Sequence, residues 1–288
     1  MNKWRRVATL PIGLLVLAAC QGGAEITNVV CVGEATTYLD WLNGDLQPDV
    51  QDPIEEADEA GDLLETVRDR GTLIISTDAN YEPQSFLQED GTFVGFDIDV
   101  GTEIAERLGV EAEFMHVDWD AITAGSWSGR WDISVGSMTI TTPRKEILSF
   151  TQPYYYAPAY LAASERSGVT STDDLDFELP DGAEATTLTT DANCIEAIEA
   201  GRTEFDLVIT SGTVIDSAIE AESPIVKVGE PIYIENLAVA LDKSPDQPHD
   251  ALLFEIDRII GEMHEDGTLT ELSNEWFGED LTQDPSGG

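Results

Sequence analysis

Apolar residues recur at helical and strand spacings from about residue 54 onward, and glycines or short polar stretches separate the repeats. Residues 63–67 place leucine and valine on one helical face, and Gly71 ends that helix. Residues 72–77 form a short β-branched apolar run, which is typical of a buried strand. The four-residue spacing within residues 100–108 predicts a second helix, and the alternating residues 111–117 predict a second strand.

Strands and helices continue to alternate through the rest of the chain. Further strands are predicted at residues 133–136, 187–189, 205–210, 225–228 and 237–241, and further helices at residues 121–128, 192–200, 214–219, 250–265 and 268–276. This alternation predicts an α/β fold with a parallel sheet. Two such units, separated by an extended segment, predict two lobes around a cleft, where ligands bind beyond the carboxyl ends of the strands.

The first twenty residues have the layout of an export signal. A basic start is followed by an uncharged apolar stretch, and Cys20 comes directly after Leu-Ala-Ala. These letters resemble the lipobox of bacterial lipoproteins, in which the cysteine carries lipid, so residues 1–20 are predicted to be a lipoprotein signal peptide. An uncleaved helix is the alternative, but the apolar stretch is shorter than the roughly 20 residues of a membrane span. We therefore expect an extracytoplasmic protein, periplasmic or held on the outer face of the membrane by lipid.

The chain ends are predicted to be less regular than the body. Residues 21–60 are interpreted as a tether and N-terminal extension, in which the apolar stretch 37–46 packs on the body or forms a short helix. Residues 281–288 are predicted to be a disordered tail. Cys31 and Cys194 could form a disulfide in an oxidising compartment, or be two unrelated thiols.

The charge of the chain excludes some partners. There are 57 acidic and 14 basic residues, and the formal net charge is −43. Such a surface repels nucleic acid and anionic lipid, so we expect neither as a partner and a membrane contact only through the lipid anchor. The acidity suits either a salty medium or the solubility of an exported monomer. The three histidines have no metal-site spacing, and we expect no metal or other cofactor.

Five segments together resemble one protein family. They are G-T-L-I-I-S-T-D-A-N-Y-E-P (71–83), G-T-F-V-G-F-D-I-D-V (91–100), W-D-I-S-V-G-S-M-T-I-T-T-P-R-K-E (131–146), F-T-Q-P-Y-Y-Y (150–156) and D-G-T-L-T-E-L-S-N-E-W-F-G (266–278). These segments are similar to those of the family 3 bacterial extracellular solute-binding proteins, the polar-amino-acid receptors of ABC importers. The resemblance implies a two-lobed periplasmic-binding-protein fold of type II, whose lobes are joined by two hinge strands. The first lobe would contain residues 61–157 and 240–280, and the second lobe residues 158–239.

Arg144 is the strongest candidate for a ligand contact. A guanidinium forms two parallel charge-assisted hydrogen bonds with a carboxylate, and Arg144 stands at the arginine of the family's T-x-x-R motif. The alternative is a surface arginine at the start of a helix. Ser137 and Thr139 match family positions that bond the ligand through backbone and hydroxyl groups, although a turn at a strand end would also explain them.

Tyr81 and Trp119 match the two aromatic residues that enclose the ligand side chain in the family. Their flat rings would supply apolar area and attract a cation, although core packing is the commoner fate of a tryptophan. Asp78 matches a position near the distal end of the ligand, or is a turn residue. Asp97 and Asp99 are interpreted as caps of the helix that follows them.

Two departures from the family concern the second lobe. This lobe is predicted to be shortened by one strand–helix unit, together with the G-T-T-like turn that helps to hold the ligand carboxylate. In addition, the family's ammonium-binding aspartate aligns with Ser211, which is neutral. Burying an ammonium without a counter-charge costs several kcal/mol. Either Asp191, Asp216 or Glu230 takes over this role, or the ligand lacks an ammonium group.

The sequence therefore predicts a binding protein, not an enzyme. It would close by a hinge motion on a small carboxylate-bearing solute, an amino acid or a similar compound, and pass it to ABC permease subunits. One alternative is an enzyme like the cyclohexadienyl dehydratases, with Asp78 or Glu230 as its acid. The other is a ligand-sensing or scaffold protein with a degenerate second lobe.

Overall fold

The computed structural model describes residues 29–33, 54–175, 184–188, 190–243 and 248–285. Within these ranges the strands are β1 (Val29–Gly33), β2 (Thr72–Thr77), β3 (Asn80–Tyr81), β4 (Ser85–Leu87), β5 (Phe93–Val94), β6 (Glu111–His116), β7 (Ile133–Thr139), β8 (Leu148–Ser164), β9 (Glu184–Leu188), β10 (Leu207–Ser211) and β11 (Ile225–Asp242). The helices in the same ranges are α1 (Leu63–Arg70), α2 (Phe96–Leu108), α3 (Trp119–Thr123), α4 (Thr142–Ile147), α5 (Asp191–Glu199), α6 (Gly212–Glu220), α7 (Asp250–Glu265) and α8 (Thr268–Phe277).

Eight of these strands form one mixed sheet with the order β6-β2-β7-β11-β8-β10-β1-β9. The outer strands are parallel, as the alternation of strands and helices predicts: β2 runs parallel to β6 and β7, and β1 runs parallel to β9 and β10. The centre differs from the prediction, because β8 and β11 are antiparallel to each other and to their outer neighbours. These two long strands connect both halves of the molecule. Strands β3, β4 and β5 form a separate small sheet.

Buried apolar side chains form separate clusters on the two sides of β8 and β11. On one side, α2 packs Val100 and Ile104 against β2, β7 and α7. On the other side, α5 and α6 bury Ile198 and Ile215 beside β10. We call the half with β2, β6 and β7 the first lobe and the half with β1, β9 and β10 the second lobe. The predicted α/β architecture with two lobes and two connecting strands is present, and the predicted lobe boundaries fall inside β8 and β11.

Strand β1 corrects the interpretation of the N-terminal extension and of the shortened second lobe. Residues 29–33 lie between β9 and β10 and pair with both strands. Val30 and Val32 are buried there. An apolar β-branched run needs hydrogen-bond partners on both edges and apolar neighbours on its faces, and the space between β9 and β10 provides both. The sheet of the second lobe thus includes a strand from the N-terminal segment, outside residues 158–239.

A disulfide between Cys31 and Cys194 joins β1 to α5, with 5.7 Å between the two Cα atoms. This separation lies within the usual range for disulfides. Both residues are fully buried in the second lobe. The N-terminal strand is therefore held by covalent bonding as well as by its two neighbouring strands.

Two other predicted boundaries differ from the structure. Ile54 and Ala57 pack against the core of the first lobe, so the extension ends earlier than residue 60. Leu281 and Thr282 are buried, and the backbone N–H of Leu281 donates to Ser273 Oγ at 2.9 Å, so the predicted disordered tail is packed at its start. The interpretations of Cys20 and of residues 37–46 concern positions outside the described residues. None of the described helices has the length and apolarity of a membrane span.

Candidate functional site

A cavity lies between the two lobes, at the carboxyl ends of β2 and β7 on one side and of β1 and β10 on the other. Its empty volume is about 720 Å³, including the part that is open to solvent, which is within the range of small-molecule sites. The cavity is lined by Val32, Asp78, Asn80, Tyr81, Trp119, Gly136, Ser137, Thr139, Arg144, Thr190, Asp191, Ile209, Thr210, Ser211, Tyr233 and Glu235. Because both lobes and β11 contribute to the wall, a molecule bound in the cavity would contact both lobes.

The seven residues predicted from the sequence as ligand contacts all line this cavity. They are Asp78, Tyr81, Trp119, Ser137, Thr139, Arg144 and Ser211. Strand ends account for their convergence, because parallel strands bring their carboxyl ends to the same edge of a sheet. The structure thus brings these side chains together.

Arg144 is buried at the cavity wall, with 5% of its surface exposed. Helix α4 positions it: Thr141 caps this helix, and its hydroxyl accepts a hydrogen bond from the backbone N–H of Arg144. The side chain donates from Nη1 to the backbone oxygen of Thr139 at 3.0 Å. Its guanidinium carbon lies 5.4 Å from the ring centroid of Trp119. Arg144 is therefore a fixed positive charge in the cavity, not the surface arginine that was the alternative.

Among the lining residues, Arg144 is the single cation, and three residues have carboxylates: Asp78, Asp191 and Glu235. Asp191 is at the start of α5, where Thr190 is the N-cap residue, and it was one of the three acids considered as a replacement for the family aspartate. The other two do not line the cavity. Asp216 pairs with Lys227, whose Nζ lies 2.5 Å from its carboxylate, and Glu230 is exposed.

Glu235 also lines the cavity, although the sequence did not predict it as a site residue. It lies on β11, and its Oε1 accepts a hydrogen bond from the hydroxyl of Thr139 at 3.2 Å. Burial, and then the charge of Asp191, raise the pKa of the Glu235 carboxyl to about 8, whereas the Thr139 hydroxyl and Arg144 act in the lowering direction. Tyr233, two residues earlier, faces the same cavity. This period-two pattern was the available signal, but residues 229–236 were not predicted to be part of a strand.

Ser137 lines the cavity, but its hydrogen-bonding groups are engaged inside the first lobe. Its backbone N–H donates to Tyr154 Oη at 2.8 Å, its hydroxyl donates to the Asp97 carboxylate, and it accepts from Tyr155 Oη at 2.8 Å. Its φ angle of 53° is unusual for a residue with a side chain. These contacts hold a strained position at the cavity wall, so Ser137 shapes the site rather than presenting its hydroxyl.

The interpretation of Asp97 and Asp99 as helix caps is wrong. The N-cap residue of α2 is Gly95, and it has no side-chain cap. Asp97 is instead fully buried and accepts hydrogen bonds from Ser137 and from Tyr154, whose Oη lies 2.7 Å from Oδ1. Burial raises the pKa of Asp97 to about 7, and the two hydrogen bonds act in the opposite direction. Asp99 accepts a hydrogen bond from the indole nitrogen of Trp276 at 2.7 Å.

Ser211 forms part of a bridge between the lobes. Its hydroxyl lies 2.8 Å from Thr213 Oγ1, which accepts a hydrogen bond from Gln84 Nε2 at 2.6 Å. Gln84 belongs to the first lobe, whereas Ser211 and Thr213 belong to the second. Tyr81, also from the first lobe, packs against the apolar cluster of the second lobe. The structure is therefore in a state in which the lobes touch at the cavity.

Buried polar atoms at the cavity that have no hydrogen-bond partner among the described residues include Thr210 Oγ1 and Trp119 Nε1. Buried polar groups in folded proteins are nearly always hydrogen-bonded. A hydroxyl and an indole N–H in this situation are therefore candidates to bond a ligand. The described ranges contain no group of three histidine, cysteine, aspartate or glutamate side chains that could hold a metal ion. His116 and Asp78 form a pair at the cavity, with 3.8 Å between the ring nitrogen and the carboxylate.

Known proteins resemble this chain in sequence and in fold. The profile of the bacterial extracellular solute-binding proteins, family 3, matches residues 73–279. The L-cystine-binding protein TcyJ of Escherichia coli (strain K12) is 28% identical over 239 residues, which cover 77% of this chain and 88% of the relative.

Two solved structures are similar in fold. An ancestral arginine-binding protein bound to arginine has a TM-score of 0.62 and 29% identity, with 73% of this chain and 99% of that chain covered. An ancestral amino acid-binding protein, described as a precursor of cyclohexadienyl dehydratase, has a TM-score of 0.63 and 27% identity, with 75% of this chain and 99% of that chain covered.

Proposed function

This chain belongs to the bacterial extracellular solute-binding proteins of family 3, and from that premise we propose that it is the substrate-binding component of an ABC importer and that its solute is an amino acid. The observation that carries the proposal is the buried guanidinium of Arg144 at a cavity that both lobes and β11 line. Among the similar proteins, TcyJ is named for binding L-cystine, and one ancestral protein was solved with bound arginine; both ligands have an α-carboxylate and an α-ammonium.

We infer the following orientation of the solute. Its carboxylate lies against Arg144, because a planar fork of N–H donors matches two carboxylate oxygens. Its ammonium lies toward the acidic side of the cavity, where Asp191 of the second lobe takes the role that neutral Ser211 cannot fill. Its side chain extends between Tyr81 and Trp119. Charged contacts to both lobes would stabilise the closed state over the open one, as a hinge mechanism requires.

The proposal also covers the membrane anchor and the partners of the protein. Cys20 follows a lipobox-like sequence, so we propose that the mature protein starts at this residue and is held to the membrane by lipid. The partner would be the permease of an ABC importer, as the family implies, and the binding protein would act as a monomer. Globomycin, an inhibitor of lipoprotein signal peptidase, should then lead to accumulation of a precursor, and a Cys20→Ala variant should lose membrane association.

A thermal-shift screen tests the proposed function directly. The panel consists of the twenty protein amino acids, L-ornithine, L-cystine, glycine betaine and small dicarboxylic acids, each added to the purified protein. One or a few amino acids should raise the melting temperature, because a ligand that binds only the folded state stabilises it by mass action. If no compound with both an α-carboxylate and an α-ammonium raises it, the proposed function is wrong.

Catalysis is the second candidate, since one similar structure is described as a precursor of cyclohexadienyl dehydratase. A dehydratase needs a positioned acid. Asp78 and Glu235 line the cavity, whereas Glu230 is exposed and cannot fill this role. Incubation with prephenate and with arogenate distinguishes the two functions: a binding protein forms no phenylpyruvate and no phenylalanine, and steady formation of either product would favour the enzyme.

The third hypothesis, a scaffold protein with a degenerate second lobe, was motivated by the predicted loss of one strand–helix unit. Strand β1 adds a strand to the sheet of that lobe, which weakens the reason for this hypothesis.

A further inference from the structure

Glu235 occupies an unusual place for a carboxylate. It lies near the middle of β11, one of the two strands that connect the lobes, and only 9% of its surface is exposed. The hydroxyl of Thr139 donates to its Oε1 at 3.2 Å. It lines the cavity beside Tyr233. An acidic residue is rarely buried to this degree unless it is paired or has a function.

Besides the Thr139 hydroxyl, the titratable groups that interact electrostatically with Glu235 come from four other elements. Asp191 lies on α5, Arg144 on α4, Tyr81 on β3 and Tyr155 on β8. Arg144 is the one cation among them, and in the proposed function it receives the carboxylate of the solute. Once Arg144 binds that carboxylate, its charge is compensated by the solute. The cation that could then compensate the charge of Glu235 is the ammonium of the solute.

A second observation indicates that the cavity receives a ligand. Thr210 is 3% exposed, lines the cavity from the second lobe, and its Oγ1 has no hydrogen-bond partner among the described residues. Asp78, the third cavity carboxylate, lies near His116 and accepts a hydrogen bond from Asn80. Asp97 is enclosed by Ser137 and Tyr154 and is not a lining residue.

We propose that Glu235 is a specificity-determining residue that binds a cationic group of the solute and releases one proton to solvent when the solute binds. This inference rests on the proposed function. Before binding, the group is a neutral carboxylic acid; in the complex it is a carboxylate beside the ammonium, which keeps its three protons. The proton that leaves Glu235 passes to water or buffer, and no other group changes its charge.

The direction of the proton transfer follows from the surroundings. Burial, and next the charge of Asp191, raise the pKa of Glu235 to about 8 without solute. A cation at hydrogen-bond distance favours the ionised form and lowers the pKa again. The solute therefore binds more tightly as the pH rises. Affinity should increase on the order of tenfold per pH unit below neutrality and level off above about pH 8.

Isothermal titration calorimetry tests the proposal, with L-arginine and L-cystine as probes and with any other amino acid that the thermal-shift screen identifies. The binding heat is measured at pH 7 in phosphate and in Tris, which differ in ionisation enthalpy, so that the difference gives the number of protons released. We expect about one proton per solute. Glu235→Gln should bind without proton release and with an affinity that is independent of pH. The matched control is Glu230→Gln, an exposed acid on the same strand, which should behave like the wild type.

The outcomes separate this inference from the proposed function. If no amino acid binds the wild type, the proposed function fails and this inference fails with it. If an amino acid binds the wild type without proton release, or if Glu235→Gln still releases a proton, the role of Glu235 is wrong and the proposed function stands. Should Glu235→Gln not fold, as judged by circular dichroism, the proton count of the wild type decides alone.

Discussion

Some side chains of this cavity can be identified from the sequence, whereas others are recognised as lining residues only from the fold. Arg144 stands in a recognisable motif and Trp119 matches a family position, and the structure places the guanidinium over the indole ring. Glu235 was not identified from the sequence, and Asp191 was only one of three candidate acids, because their relation to the site depends on the course of β11 and on the start of α5. The charge balance of the cavity was therefore outside the reach of the sequence alone.

Arg144→Ala should weaken amino-acid binding by about thirtyfold or more, since removing one partner of a buried charge pair costs about 2 kcal/mol at least. Calorimetric titration with the amino acid found in the screen measures the change. Arg130→Ala is a matched control, because Arg130 also stacks on an indole ring, that of Trp131 at 4.5 Å, but does not line the cavity. Equal affinities for the two variants would rule out the proposed role of Arg144.

Asp97 should make the stability of the protein depend on pH. Its folded-state pKa of about 7 lies above the ordinary value for an aspartate, so the folded state holds the proton more tightly than the unfolded state. The resulting stability is complete at low pH and is lost as the pH rises toward and through 7. Urea unfolding of Asp97→Asn should show a smaller decrease in the free energy of unfolding between pH 5 and pH 8 than the wild type. Asp99→Asn is the control on the same helix and should keep the full decrease.

Strands and helices differ in how far their own sequence determines them. Strand β2 and helix α7 have the bounds that their patterns predict, residues 72–77 and 250–265, because local periodicity and end signals suffice there. β11 is one strand where two short ones were predicted. β1 was not predicted, although Val-Val-Cys-Val-Gly is a strand-like run, because its partner strands lie more than 150 residues later in the chain.

The disulfide between Cys31 and Cys194 should stabilise the second lobe through β1. It closes a loop with a sequence separation of 163 residues, and loss of a native disulfide typically costs about 2–4 kcal/mol. The double variant Cys31→Ser/Cys194→Ser should therefore unfold at a lower urea concentration than the oxidised wild type. Adding a reducing agent should lower the midpoint of the wild type but not that of the double variant. A wild type that is insensitive to reduction would contradict this role.

The molecule as a whole combines one fold with an extreme charge. The formal net charge is −43, whereas the cavity lining contains only three carboxylates and one guanidinium. Repulsion among the many other carboxylates opposes the compact state. Raising the ionic strength shortens the screening length from about 10 Å at 0.1 M to about 3 Å at 1 M.

The melting temperature should consequently rise by several degrees between 0.1 M and 1 M potassium chloride. Differential scanning calorimetry measures this change. A melting temperature that stays constant or falls over this range would indicate that the surface carboxylates do not destabilise the folded state, and the acidity would then serve solubility only.

The location and orientation of the solute are the centre of this account. A crystal structure of the protein with the amino acid identified in the screen examines both at once. We expect the solute between the lobes, with its carboxylate at hydrogen-bond distance from the guanidinium of Arg144 and its ammonium facing Asp191 and Glu235. A solute bound elsewhere, or bound in this cavity with its carboxylate away from Arg144, would contradict the account.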